Sequence, residues 1–160
     1  MPDRRTPYGF GAEVQLPFAD AVQRTRDALA AEGFGILCEI DVAATLRQKL
    51  GVDMPPYVIL GACNPPLARQ ALAAEPDIGL LLPCNVVVYS TGDADNCVVA
   101  TIDPETAMTL SARAELAPIA AQVSAKLRRA LDALIDESAV VTSRNAGDGP
   151  RGAEPRAAVP

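Results

Sequence analysis

The chain has 160 residues, 49% of them apolar, which is ordinary for a single packed domain of common size. A formal charge of −6 without any dense Lys/Arg stripe excludes a nucleic-acid footprint, since phosphate binding depends on clustered positive charge, and argues equally against a membrane surface. The sequence contains no histidine, which removes Ser-His-Asp and Cys-His nucleophile schemes and imidazole metal ligands. No apolar run approaches the roughly 20 residues of a transmembrane helix, and the start Met1-Pro2-Asp3-Arg4-Arg5 is not followed by the apolar stretch of a signal peptide. The expected location is cytoplasmic, where the four cysteines are thiols or ligands rather than a disulfide framework. With three Phe, three Tyr and no Trp, the core must be built from Ala, Val, Leu and Ile, and aromatic stacking platforms are scarce.

In chain order, Phe10, Ala12, Val14 and Leu16 alternate with Gly9, Gly11, Glu13 and Gln15, the period of a strand with one buried face. Pro17 suits a first helical turn, and Phe18, Ala21, Val22, Thr25, Ala28 and Leu29 recur at helical spacing until Gly33. A second strand from Phe34 to Ile40 places Glu39 and Asp41 on one face, opposite Cys38; Cys38, lying between Ile36 and Ile40, is expected in the core. A short helix from Val42 to Leu50 ends at Gly51, a residue suited to the left-handed cap.

Tyr57 to Cys63 has strand length and composition, and Asn64-Pro65 reads as a helix cap followed by proline at the first helical position. That helix runs to about Glu75, before Pro76. Cys84 to Tyr89 and Cys97 to Ile102, joined through Thr91-Gly92-Asp93, are most simply an antiparallel hairpin, with Cys97 buried. Leu116, Ile119, Val123, Leu127, Leu131 and Leu134 then define an amphipathic helix. Beyond Asp136 the periodicity ends, and residues 137–160, rich in Gly, Pro, Ala and charge, read as a disordered tail.

The order β-α-β-(α)-β-(α)-β-β-α, without a Gly-rich nucleotide-binding turn, predicts one α+β domain over residues 8–136, a mainly antiparallel sheet with helices on one face. Glu39-Ile-Asp41, the stretch YVILGACNP from Tyr57 to Pro65, and LLPCNVVV from Leu81 to Val88 resemble the domain-of-unknown-function family numbered 302. The resemblance covers about residues 8–136. It implies a fold similar to the TATA-binding-protein-like α+β class and a homodimer, and it brings no established reaction. It does not imply DNA binding, because function resides in sites and this chain is acidic.

Two Cys-Asn pairs, Cys63-Asn64 and Cys84-Asn85, carry the chemistry-bearing side chains. A thiol just before a helix N-terminus is commonly activated as a thiolate, so Cys63 is the expected nucleophile and Cys84 its resolving or second thiol, in a site handling a small electrophile or sulfane sulfur. Glu39 and Asp41 could serve as a general base or as ligands, or simply form a solvated strand face, with Asp41 alternatively a cap of the helix after it; Asn64 caps a helix, and Asn85 either orients a ligand or makes an edge-strand or turn bond. No C-x-x-C pair exists, so a structural zinc site is not expected. Two thiolates, a carboxylate and Met108 would suit a soft ion such as cuprous copper, and cysteine also ligates haem in some proteins. A non-catalytic dimeric module that binds a soft metal, haem or small ligand through the same residues is therefore the alternative to thiol chemistry. A purely structural or interaction role for the Cys-Asn pairs is the third reading.

Overall fold

Because successive side chains of a strand point to opposite faces, the register of the strands decides which residues meet the helices and which meet solvent. The computed structural model describes residues 4–146. Six strands, β1 (Arg4–Thr6), β2 (Gly9–Val14), β3 (Gly35–Asp41), β4 (Tyr57–Cys63), β5 (Cys84–Ser90) and β6 (Cys97–Ile102), form one sheet in the order β1-β2-β6-β5-β4-β3. Every neighbouring pair is antiparallel. The helices are α1 (Phe18–Ala31), α2 (Val42–Leu50), α3 (Pro65–Ala74), α4 (Pro104–Met108) and α5 (Ala117–Ala146), with a 3-10 segment at Pro76–Leu81. The chain is thus α+β, as its element order predicts.

Two rows of opposed residues cross the helix-covered face. Phe10, Thr101, Val86, Leu60 and Glu39 form one, and Ala12, Val99, Val88, Val58 and Asp41 the other. Their central members are fully buried, Leu60 and Val88 at 0% exposure, beneath α1, α5 and the 3-10 turn Ala114–Leu116 before it, which contribute Ala21, Leu29, Leu116, Leu127 and Leu134. Burying a Val or Leu side chain contributes about 1.5–3 kcal/mol, so this layer is the main source of stability. Two polar contacts tie α5 down: the Arg128 guanidinium lies 4.0 Å over the Phe10 ring, and Arg129 makes a bidentate pair with Glu32 at the end of α1.

Several boundaries fall where local chemistry places them. Gly51 adopts φ 69° and closes α2 by donating its N–H to Arg47 O. Gly33, at φ 84°, ends the turn after α1. At Gly61 an added Cβ would lie 2.5 Å from Cys38 Sγ and 2.8 Å from Pro83 Cγ, so only glycine fits between β3 and the Leu82–Pro83 segment, whose peptide bond is cis.

Three expectations need correction. Helix α5 continues to Ala146, so residues 137–146 are helical rather than part of a disordered tail. Extending an established helix fixes one residue per added hydrogen bond, and apolar periodicity is not needed for that. The remainder of the expected tail, 147–160, lies outside the described residues. Cys38 is exposed: a bulge between Ile36 and Cys38 shifts the alternation, so Ile36, opposite the buried Ala62, packs against the core while Cys38, opposite Gly61, falls on the uncovered side. Finally, Arg4–Thr6 adds a short exposed strand, which pairs with β2.

Candidate functional site

The expected constellation is divided among three places. The first is a small cavity of about 20 Å³ at the end of the sheet, lined by Cys63, Cys84, Met108 and the apolar residues Phe34, Leu67 and Ile119 among others. Cys63 ends β4 and Cys84 begins β5, with Ala62 directly opposite Cys84, so both lie at the same end of the sheet, but the Cys63 side chain, next in the strand to Ala62, faces the other way. Cys84 is buried and Cys63 half-buried. Burial pushes the Cys63 thiol up. Burial and then the neighbouring Cys63 push Cys84 up to about 11.

That direction is opposite to the activation expected of a thiol at a helix start, and the cap explains why. The first two residues of α3 are Pro65 and Pro66, which have no N–H. The next N–H, of Leu67, donates to Asn64 Oδ1 at 3.4 Å, and that of Ala68 donates to Asn64 O at 2.9 Å. The donors that would stabilise a thiolate are absent or already engaged. Asn64, 8% exposed, is a structural joint: its Nδ2 also donates to Gly33 O at 3.2 Å and Glu32 O at 3.5 Å, fastening the turn after α1 to the start of α3.

The carboxylates lie elsewhere. Glu39 forms an ion pair with Arg26 of α1 and stands opposite Leu60. Asp41 accepts the Ala44 N–H at 2.8 Å as the cap of α2, and its carbonyl accepts the Thr45 hydroxyl at 2.6 Å. Neither lines the sulfur cavity. Among the described residues no three His, Cys, Asp or Glu side chains are grouped to hold a metal ion.

Asn85 belongs to the third place, the uncovered face of the sheet. Residues next to one another in a strand face opposite ways, so Cys84 enters the helix-covered layer while Asn85 lines a cleft of about 420 Å³ on the other side. All three tyrosines of the chain line it: Tyr8, 69% exposed, and the opposed pair Tyr57 and Tyr89, whose rings stack at 5.2 Å with planes 6° apart. Burial, then Tyr89 and Tyr8, push the Tyr57 hydroxyl up. Gly9, Gly11, Val87 and Ala100 also line it, and Arg4 stands among them, paired with Glu13 at 3.2 Å. A Cβ at Gly11 would lie 2.5 Å from Val99 O and 2.6 Å from Ala100 Cβ, both in β6; glycine is required there for β2 and β6 to approach.

A second open depression of about 540 Å³ lies beside α2 and includes Asp41, Arg47 and Tyr57. Its two charged groups are committed: Asp41 caps α2, and Arg47 pairs with Asp53 at 2.8 Å. The tyrosine cleft was missed in the sequence because its residues come from four separate segments. The one available signal was the pairing of Tyr57 with Tyr89 once β4 and β5 are set side by side.

The structure is similar to the crystal structure of an uncharacterized conserved DUF302 protein from Bacillus stearothermophilus, with a TM-score of 0.73, 29% identity, and coverage of 79% of this chain and 98% of that one. No curated protein matches the sequence. The model of the family described as "Domain of unknown function DUF302" matches residues 10–134, so the chain belongs to the DUF302 family.

Proposed function

We propose that the protein is a non-catalytic binding module that takes a flat, largely apolar small molecule in the cleft on the open face of its sheet. The carrying observation is that every tyrosine of an aromatic-poor chain lines one cleft of about 420 Å³ together with glycine and alanine. That volume lies within the roughly 300–1,000 Å³ of small-molecule sites, which are mainly apolar with a few placed polar groups. The stacked Tyr57 and Tyr89 rings offer an aromatic wall, the small residues let a planar molecule lie against the strands, and Asn85 supplies a donor and an acceptor. The raised Cys63 and Cys84 thiols, without free helix N–H groups beside them, favour binding over nucleophilic chemistry.

Because the chain has no tryptophan, tyrosine emission reports on this cleft directly. Titration with anilinonaphthalene sulfonate, a flat aromatic probe, is expected to quench tyrosine emission and raise probe emission in the unmodified chain. Val87→Lys and Tyr89→Ala should each abolish the response while Cys63→Ser retains it. Equal binding by Val87→Lys would sink the reading.

A second reading is favoured by the apolar edge of the same face, where Ile40 is 47% exposed. Ile40, Ile59, Val87 and Ala100 form a continuous row across it. In this reading the face seats a second copy of the chain. Sedimentation equilibrium separates the two: a dimer dissociated by Ile40→Lys supports the interface, and a monomer at all concentrations removes it.

A further inference from the structure

We propose that the molecule taken by the open-face cleft is a flat aromatic carboxylate, and that Arg4 holds its acid group and so sets specificity. This rests on the cleft reading above and adds the charge and orientation of the ligand.

The strand registers lay the open face out in rows. Arg4, Gly11, Ala100, Val87, Ile59 and Ile40 are successive partners across the six strands. They share the uncovered face, because Phe10 and Val86, next to Gly11 and Val87, are buried beneath the helices. Two positions along the strands, Glu13, Val98, Tyr89 and Tyr57 form a second row, which ends in the stacked tyrosines. Glycine and alanine keep the first row low, so it is the floor and the tyrosines are the wall. The two ends of the floor differ in charge: Ile40 is apolar, whereas Arg4 is, among the described residues, the one charged residue that lines the cleft.

Arg4 reaches inward from β1, its Nη1 donating to Glu13 Oε1 of β2 at 3.2 Å. From there to Tyr89 on β5 is two strand spacings, roughly 10 Å at about 4.8 Å each, over Gly11, Ala100 and Val87. A fused-ring acid spans that distance with its carboxylate at Arg4 and its ring against the tyrosine wall. The pair with Glu13 is a single contact between side chains 47% and 61% exposed, while a guanidinium carries five donors in a fork that matches a carboxylate with two parallel bonds. Glu13 thus shows that a carboxylate fits this group and leaves donors free for a second one. A net charge of −6 disfavours anions in general, so preference for an acid over its neutral counterpart has to come from this local cation.

The test is isothermal titration calorimetry of the full chain at neutral pH and low ionic strength with 2-naphthoate and its uncharged counterpart 2-naphthamide. The parent is expected to bind the acid at least about 5-fold more tightly, the scale of a charge-assisted bond at a half-exposed arginine, and added salt should shrink the preference. Arg4→Gln should bring the two affinities together by weakening the acid alone. Glu13→Gln removes the competing carboxylate and should raise affinity for the acid by about 2-fold or more, a gain that a merely structural ion pair would not give. Both substitutions are at exposed positions and leave the fold intact. Tyr89→Ala should lose both compounds, as binding in the cleft requires. Equal binding of acid and amide by the parent, or an acid preference that survives Arg4→Gln, overturns the carboxylate assignment and leaves the cleft standing. Binding of neither compound overturns the assignment and the cleft reading together.

Discussion

The two faces of this sheet are built from the same strands with opposite outcomes. The helix-covered face is close-packed, and the void beside Cys84 at its end measures about 20 Å³; the uncovered face holds a cleft of about 420 Å³, large enough for an organic molecule. Adjacent residues therefore play unrelated parts. Cys84 is 7% exposed inside the packed layer while Asn85 is exposed in the cleft, and a Cys-Asn pair that reads as a unit is divided between two environments. In a strand, sequence adjacency is evidence of separation.

The sharpest way to break this comparison is at Val86 and Val87, identical neighbours on opposite faces. Val86→Lys places an ammonium group in a site that is 2% exposed. It should cost more than about 4 kcal/mol and leave little folded protein at ordinary temperature. Val87→Lys should change stability by under about 1 kcal/mol yet abolish probe binding, with denaturant melts and probe titration measured in parallel.

The next effect is in pH. Cys84 is held up at about 11 against an ordinary thiol value of 9.0. Below that ordinary value both folded and unfolded chains keep the proton; above it only the unfolded chain releases it, so stability falls as pH rises toward 11. At about 1.4 kcal/mol per unit the loss is on the order of 2–3 kcal/mol. Urea melts between neutral and alkaline pH should show it in the parent and lose most of it in Cys84→Ala. Alkylation at neutral pH should follow the same division: Cys38 first, Cys63 more slowly, Cys84 and Cys97 only on unfolding.

A smaller contrast separates the two asparagines. Asn64→Ala removes a helix cap and the tie to Gly33 and should cost about 1–2 kcal/mol, whereas Asn85→Ala should stay within about 0.5 kcal/mol. Smallest is Glu32, whose carboxyl the Arg129 hydrogen bonds hold below its usual range. Glu32→Gln should cost under about 1 kcal/mol. Because the folded value is the lower one, that difference is present above the ordinary carboxylate range and lost as pH falls through the folded value; acid melts of parent and variant should converge.

Much of this architecture is legible in local chemistry. Helix α2 spans Val42–Leu50 and ends at a left-handed Gly51, and β6 spans Cys97–Ile102, because caps and β-branched runs act within a few residues. Asn64 is the cap its Asn-Pro context suggests. What alternation conveys is which residues share a face, and Glu39 with Asp41 against Cys38 is a correct instance. It does not convey which face is covered, nor the bulge between Ile36 and Cys38 that moves Cys38 to the face opposite Ile36, and Cys38 between two isoleucines is misplaced for that reason. The consequence of Pro65 and Pro66 for a nearby thiolate was present in the residues but needs the cap geometry to be seen. The tyrosine cleft depends on strand order, which no local pattern encodes.

The most direct test of the central claim, that the open face and not the cysteine pair holds the small-molecule site, is the tyrosine-emission titration with anilinonaphthalene sulfonate on two variants side by side. Loss of the response in Val87→Lys with retention in Cys63→Ser is the result predicted by the geometry. Retention in Val87→Lys with loss in Cys63→Ser would contradict it.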